Sequence, residues 1–204
     1  MGENPWFHYR LGDMVRYSSV RRLGGREKHY ELYPDSLASQ YMRETDISDN
    51  LDVLINLIRK YPQNLRPKED ELVVHLRAGN VIDKSEYTVE ELLEKRRPFG
   101  VHNLNYVKPL SFYKRHLNKI EKQIKKITLV AGGNLTHDFT KSKEYIQAIK
   151  SLFEKSGFDV QVRLGNPPDD DFIYMCRSRF FISSGGHFSR LVRLCRAERW
   201  RTPQ

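Results

Sequence analysis

From residue 71 onward, four short apolar runs alternate with longer stretches whose apolar residues recur every three to four positions. The runs are Leu72–Leu76, Ile127–Val130, Phe158–Val162 and Phe180–Ile182. Each is too short for a stable helix and rich in β-branched or aromatic residues, so each is predicted to be a strand. The stretches between them carry helical spacing. Tyr113, Leu117, Ile120 and Ile124 mark one helix. Tyr145, Ile146, Ile149, Leu152 and Phe153 mark a second over residues 138–156, which stops at Gly157, and residues 171–177 form a third. Strands separated by helices imply right-handed βαβ crossovers and a parallel sheet with helices on both faces, a Rossmann-like α/β fold.

Residues before the first strand behave differently. One amphipathic helix is expected at Leu51, Leu54, Ile55 and Ile58, capped by Ser48 or Asp49 and stopped near Pro62. The segment from Pro34 to about Asp49 has no clean periodicity. A polar connection with two prolines follows, so the chain is expected to divide into a small N-terminal subdomain, 1–66, and a sheet domain, 67–204. The polar stretch from Ala78 to about Lys108 reads as a long loop with a short helix near Val89–Lys95, and loops of that length usually carry function.

In a parallel α/β sheet, ligands sit outside the carboxyl ends of the strands. The residues expected there are Arg77, Gly79 and Asn80, then Gly132 and Gly133, then Arg163 and Gly165, then Ser183, Ser184, Gly185, Gly186 and His187. They are glycines, hydroxyls and cations for the most part. The last group joins a strand end to a helix bearing Phe188, Leu191, Val192 and Cys195 at helical spacing, so backbone N–H groups collect at that helix's start, where phosphate binds well. Arg77, leaving an apolar strand that also holds His75, is placed to grip a diphosphate through its bidentate fork. The plainer alternatives are an ordinary serine-capped βα turn and a half-buried strand whose polar face holds both His75 and Arg77.

A net charge of +9 favours an anionic partner, and a phosphorylated small molecule satisfies that as well as nucleic acid does. The spaced arginines Arg190, Arg193, Arg196 and Arg199 read as a solvated helix face, so nucleic acid is not the expected partner. No GxGxxG follows a strand, which argues against a dinucleotide oxidoreductase. The histidines show no close ligand spacing and the two cysteines lie nineteen residues apart, so no metal site or disulfide is expected. The aspartates 169–171 could instead form an Asp-x-Asp metal site, but after Pro167 and Pro168 they also suit a helix N-terminus. With buried thiols, no signal-peptide core and no apolar stretch of about 18 residues, a cytoplasmic protein without a transmembrane segment is expected.

His75-Leu76-Arg77-Ala78-Gly79-Asn80 resembles the His-x-Arg-x-Gly-Asp motif of the fucosyltransferase superfamily, with Asn80 where that family has Asp. Tyr106-Val-Lys-Pro109-Leu-Ser-Phe-Tyr113 is similar to the family's Tyr-x-x-Pro-x-x-(Phe/Tyr)-Tyr element. The Ala131–Asn134 turn and the Asp171–Arg190 segment follow in the family's order. The resemblance covers roughly residues 72–198 and implies the C-terminal, nucleotide-sugar half of a two-Rossmann (GT-B) glycosyltransferase, preceded here by a reduced acceptor-side subdomain. His8–Met14 faintly resembles the turn that opens the acceptor half. By that resemblance Arg77 stabilises the departing diphosphate, His75 and Gly79 shape its pocket, Ser183 and Ser184 bind phosphate oxygens and Asp171 reaches base or ribose. Asn80, Gly132, Gly133, Gly185, Gly186, His187, Ser189 and Arg190 complete the nucleotide-sugar site, and Asp13 and Asp83 are the candidates for the base. The implied reaction is metal-independent and inverting, needs no cofactor, and moves a sugar, possibly fucose, from a nucleoside-diphosphate donor, GDP-sugar favoured, to a glycan or other hydroxyl acceptor. The competing expectation is a non-catalytic nucleotide- or nucleic-acid-binding α/β protein.

Overall fold

A computed structural model of the chain describes residues 35–45, 50–62, 64–94, 102–132 and 139–201. They fall into two compact units. One comprises Pro67–Pro167 with Ser178–Gly186; the other comprises the described residues up to Arg66 together with Pro168–Arg177 and the chain from His187. Residues 168–177 and 187–201, expected with the sheet domain, therefore cluster with the N-terminal segment.

The first unit is the α/β part. Strands β1 (Glu71–Arg77), β2 (Lys126–Gly132), β3 (Asp159–Leu164) and β4 (Phe180–Ile182) form one sheet in the order β3-β2-β1-β4. All pairs are parallel, with Leu72 opposite Ile127 on one side and Phe180 on the other, and Lys126 opposite Asp159. β1 is central and buried at six of its seven positions, which is why Leu72, Val73, Val74 and Leu76 place apolar side chains on both faces rather than alternating with polar ones. β3 is an edge strand whose residues are mostly exposed or half-buried, and its sequence alternates accordingly.

The expected loop between β1 and β2 holds three helical pieces: helix α1 (Asn80–Asp83), helix α2 (Val89–Glu94) and a 3₁₀ turn, His102–Tyr106. Helix α3 (Leu110–Leu117) follows. It is shorter than predicted, because Ile120 and Ile124 belong to two successive turns in which Ile120 N–H donates to Leu117 O and Ile124 N–H to Glu121 O. Such turns return the apolar side chain to the core every three or four residues and so imitate helical periodicity. Helix α4 (Thr140–Lys155) buries Tyr145, Ile146, Ile149 and Phe153 against the sheet side of this unit. Each of these contributes about 1.5–3 kcal/mol by leaving water.

The second unit is helical: α5 (Pro168–Arg177) and α6 (Gly186–Arg201) join two earlier helices, αA (Leu37–Glu44) and αB (Leu51–Lys60). Helix αA lies in the stretch without clean periodicity. A local cap and a distant carboxylate together start it: the Ser36 hydroxyl accepts Ser39 N–H at 3.1 Å, and the Asp169 carboxylate accepts Leu37 N–H at 2.8 Å. The cap of αB is Asn50, which accepts Val53 N–H at 3.3 Å, one residue beyond the expected Asp49. Phe172 and Phe188 pack with their rings tilted by 52°, 5.5 Å between centroids. Cys176 and Cys195 are both buried on helices, as their apolar neighbours predict. No helix among the described residues is long and apolar enough to cross a membrane.

Candidate functional site at the ends of strands β1 and β4

The strand order makes the sheet's carboxyl edge uneven. The chain steps outward from β1 to β2 to β3, then returns to lay β4 on the opposite side of β1. The order of connection reverses between β1 and β4, and that gap is where α/β sheets hold ligands.

Arg77 is the last residue of β1 and half-buried; His75 sits two positions earlier on the same side of the strand and is 5 % exposed. Pairing of β1 with β4 runs to Val74 opposite Ile182, so the chain leaving β4 passes beside His75. There Ser184, fully buried, shares a hydrogen bond with His75, its Oγ lying 3.0 Å from Nδ1. Burial first, and the Arg77 guanidinium second, push the His75 imidazole down to about 4. At neutral pH the ring is therefore uncharged, and of the two basic residues on this face of β1 only Arg77 carries a positive charge. Next to Ser184, the Ser183 hydroxyl accepts Gly185 N–H at 3.1 Å. Gly185 and Gly186 follow with φ of +101° and +82°, a conformation that side chains resist and glycine adopts readily.

His75 gives the site a measurable pH signature. Its ring carries a proton in the unfolded chain below about 6.5 but in the folded chain only below about 4. Between those values the unfolded state binds more protons. Stability is therefore retained above pH 6.5, falls as pH drops towards 4, and levels off below it. The expected loss is about 3 kcal/mol, at 1.36 kcal/mol per pKa unit. Urea unfolding of wild type and His75→Asn at pH 7.5, 5.5 and 4 checks this: the difference between their midpoints should shrink as pH falls. A pH-independent difference would show that His75 is not buried in its neutral form.

After Arg77 the chain turns at Gly79, whose φ of 82° and ψ of −149° suit glycine alone. Its carbonyl accepts Ile82 N–H at 2.8 Å and Asp83 N–H at 3.0 Å, closing α1. Its N–H donates to Ser142 Oγ at 2.9 Å, and the Ser142 hydroxyl donates to Asp83 Oδ2 at 2.7 Å while Ser142 N–H donates to Asp83 Oδ1 at 2.9 Å. Asp83, a candidate base, thus has both oxygens on Ser142. These bonds tie the turn after β1 to the first turn of α4. The Gly79 amide is likewise used within the protein. Asn80 opens α1 and is half-buried.

Of the residues expected at the site, His75, Arg77, Gly79, Asn80, Ser183, Ser184, Gly185 and Gly186 come together in the α/β unit. Gly132 ends β2 directly opposite Arg77 in register. Asp171, Ser189 and Arg190 belong to the helical unit, as does His187, where Asp171 and Ser189 are buried and Arg190 is exposed. Asp13 and Gly133 lie outside the described residues. The Asp169 carboxylate is spent on Leu37 N–H, and burial raises it above its ordinary range. No three His, Cys, Asp or Glu side chains among the described residues converge as a metal site.

Two residues of this edge escaped sequence reasoning. Ser142 showed only as a polar residue early in a helix, and its partners lie 59 and 63 positions away. Tyr106 was noted within a motif, but not its position: Gly185 and Gly186 both lie against its ring.

No family model matches the chain, and no curated protein does. Among solved structures the chain is similar to a crystal structure of POFUT1 in complex with GDP, at 13 % identity and a TM-score of 0.41 over 73 % of this chain and 44 % of that one. A second crystal form of POFUT1 with GDP gives 14 % identity and a TM-score of 0.43 over 90 % and 58 %. POFUT1 in complex with GDP-fucose gives 12 % identity and a TM-score of 0.40 over 91 % and 58 %. The chain thus spans about half the length of these structures, 44 % to 58 %.

Proposed function

We propose that the carboxyl ends of β1 and β4 bind the diphosphate of a nucleotide sugar, GDP-sugar favoured, and that the protein transfers the sugar to a hydroxyl acceptor. The observation that carries this reading is the His75–Ser184 hydrogen bond, which joins β1, two residues before its terminal Arg77, to the turn that leaves β4 at the reversal point. A departing nucleoside diphosphate gains negative charge as the glycosidic bond breaks. A fixed guanidinium and hydroxyl donors stabilise that charge without reorganising, so Arg77 stands where other enzymes use a divalent cation. The neutral His75 suits the same role, since it holds Ser184 in place without competing with Arg77 for the anion. With its proton free of the Gly185 contact, the Ser183 hydroxyl can donate to a phosphate oxygen. The motif resemblance at His75–Asn80 and Tyr106–Tyr113 supports the choice of a sugar nucleotide over other diphosphates.

A thermal-shift panel of GDP, UDP, ADP and their sugars at 1 mM tests the proposal. A guanine diphosphate of Kd about 0.1 mM adds roughly 1.4 kcal/mol of stability at that concentration and raises Tm by several degrees. Chelation by EDTA leaves the shift unchanged. No shift from any nucleotide would defeat the reading, and a shift abolished by EDTA would redirect it to the aspartates 169–171. The competing nucleic-acid reading draws on Arg190 and Arg193, exposed one turn apart on α6. It predicts binding that falls steeply with salt, whereas sugar-nucleotide binding does not.

A further inference from the structure

We infer that Tyr106 is a positioning residue for the anion-binding turn: its ring holds Gly185 and Gly186 in the backbone conformation in which Gly185 N–H is donated to Ser183 Oγ, and so sets where the Ser183 hydroxyl meets a ligand. This rests on the diphosphate site proposed above.

Two successive glycines with positive φ have no side chains of their own to fix them, and free glycine visits negative φ as readily as positive. Left to itself such a turn would sample many conformations, each with the N–H groups aimed differently. Only a conformation that keeps Gly185 N–H on Ser183 Oγ fixes the place where that hydroxyl can meet an anion. Ser183 restrains one end by accepting Gly185 N–H. A second restraint is steric and comes from Tyr106. A Cβ placed on Gly185 would sit 2.9 Å from Tyr106 Cδ1, and one placed on Gly186 would lie 3.7 to 3.9 Å from Cδ2, Cγ and Cε2 of the same ring. The ring therefore lies along both residues. Glycine is required at 185 for two separate reasons, its φ and the room the ring takes.

A positioning ring must itself be held, and this one is. Leu104 and Val107 on either side are buried at 3 % and 0 % exposure. The next residue, Lys108, is pinned through its backbone: its N–H donates to the Tyr145 hydroxyl at 3.1 Å, and that hydroxyl donates to Lys108 O. Tyr145 in turn touches the hydroxyl of the fully buried Tyr113. The Lys108 ammonium donates to Asn105 O at 3.0 Å, closing the segment on the other side. Tyr106 is thus carried on a rigid base anchored in the core of the same unit as the turn. It also links the two motifs, since Tyr106 and Gly185 come from stretches about eighty residues apart.

The test uses Tyr106→Leu, which removes the ring face, and Tyr106→Phe, which keeps it. Two readouts are taken, with the urea midpoint as a control for folding. The first needs no ligand: amide hydrogen exchange of the peptide covering residues 183–186 is expected to accelerate at least tenfold in Tyr106→Leu and to stay within threefold of wild type in Tyr106→Phe. The second is GDP affinity by calorimetry, expected to fall ten- to thirtyfold in Tyr106→Leu and to be restored in Tyr106→Phe. Unchanged exchange in Tyr106→Leu overturns the inference whatever the nucleotide does. GDP binding by wild type with undiminished affinity in Tyr106→Leu overturns it as well. If wild type binds no nucleotide while the exchange result holds, it is the donor-site proposal that fails, and with it the ligand-facing half of this one.

Discussion

Replacing Arg77 with lysine is expected to weaken binding of a guanine diphosphate by about 1–3 kcal/mol, roughly five- to 150-fold, with little movement of the urea midpoint. Lysine keeps the charge but offers a single ammonium in place of a planar fork, so one of two parallel donors to the diphosphate is lost. Arg77→Ala removes the charge as well and should reduce binding beyond detection at millimolar nucleotide. The guanidinium already acts on its surroundings, since it is the second cause, after burial, of the depressed His75 pKa. Arg77→Ala should therefore let the His75 titration move up from about 4, while burial keeps it below the ordinary 6.5. An imidazole titration followed by NMR gives this second readout independently of any ligand. The opposing possibility is a structural arginine whose loss costs about 3–5 kcal/mol of stability. Normal nucleotide affinity combined with a large fall in midpoint would remove Arg77 from the site and most of the case for a glycosyltransferase with it.

Arg177→Ala should destabilise the helical unit by about 3–5 kcal/mol, the largest stability effect of any substitution considered. Arg177 is 7 % exposed at the end of α5, and its guanidinium donates to three backbone carbonyls at the end of αB: Ile58 O at 2.6 Å, Tyr61 O at 2.8 Å and Pro62 O at 2.6 Å. The last carbonyls of a helix have no partner within it, and the helix dipole makes that end negative, so a cation with several donors suits it well. Ile58 O and Pro62 O also accept backbone N–H groups, from Tyr61 and Leu65 at 3.4 Å, so alanine removes a charged donor from all three carbonyls without emptying those two, and a buried acceptor left short of its donor costs about 1–3 kcal/mol. Arg177→Lys should recover only part of the loss, because one ammonium cannot span three carbonyls as the fork does. Urea unfolding of the three proteins checks the order. Equal midpoints for Arg177→Lys and wild type would mean that charge alone, without the fork, holds the end of αB.

Much of the α/β unit was legible in the residues because its signals are short-range. Strand β1 is apolar on both its faces, at Leu72, Val73, Val74 and Leu76, because both are covered, and α4 shows its buried side every three to four positions; both patterns are local consequences of burial. The general rule that ligands sit beyond strand ends then selected Arg77 and the Ser183–Gly186 turn from the sequence alone. Helix αA was not legible, since its start depends on Asp169, 132 positions along the chain. The same holds for the extent of α3, where two turns imitate helical spacing beyond Leu117.

What the sequence by itself determined is the set of elements and the chemical character of their ends: glycines, hydroxyls and a cation after apolar strands. Only the tertiary structure decided which ends meet. The return of β4 to the far side of β1 brings Ser184 to His75, 109 positions away, and makes one candidate site out of two separate motifs. Tertiary structure likewise brought Asp83 to Ser142, 59 positions away, and set the Tyr106 ring on the glycines of the turn. The physical reason is one of range. Periodicity and propensity act over a few residues, whereas the choice of partner among equally apolar strands, or among carboxylates with several possible donors, is made by packing across the whole unit.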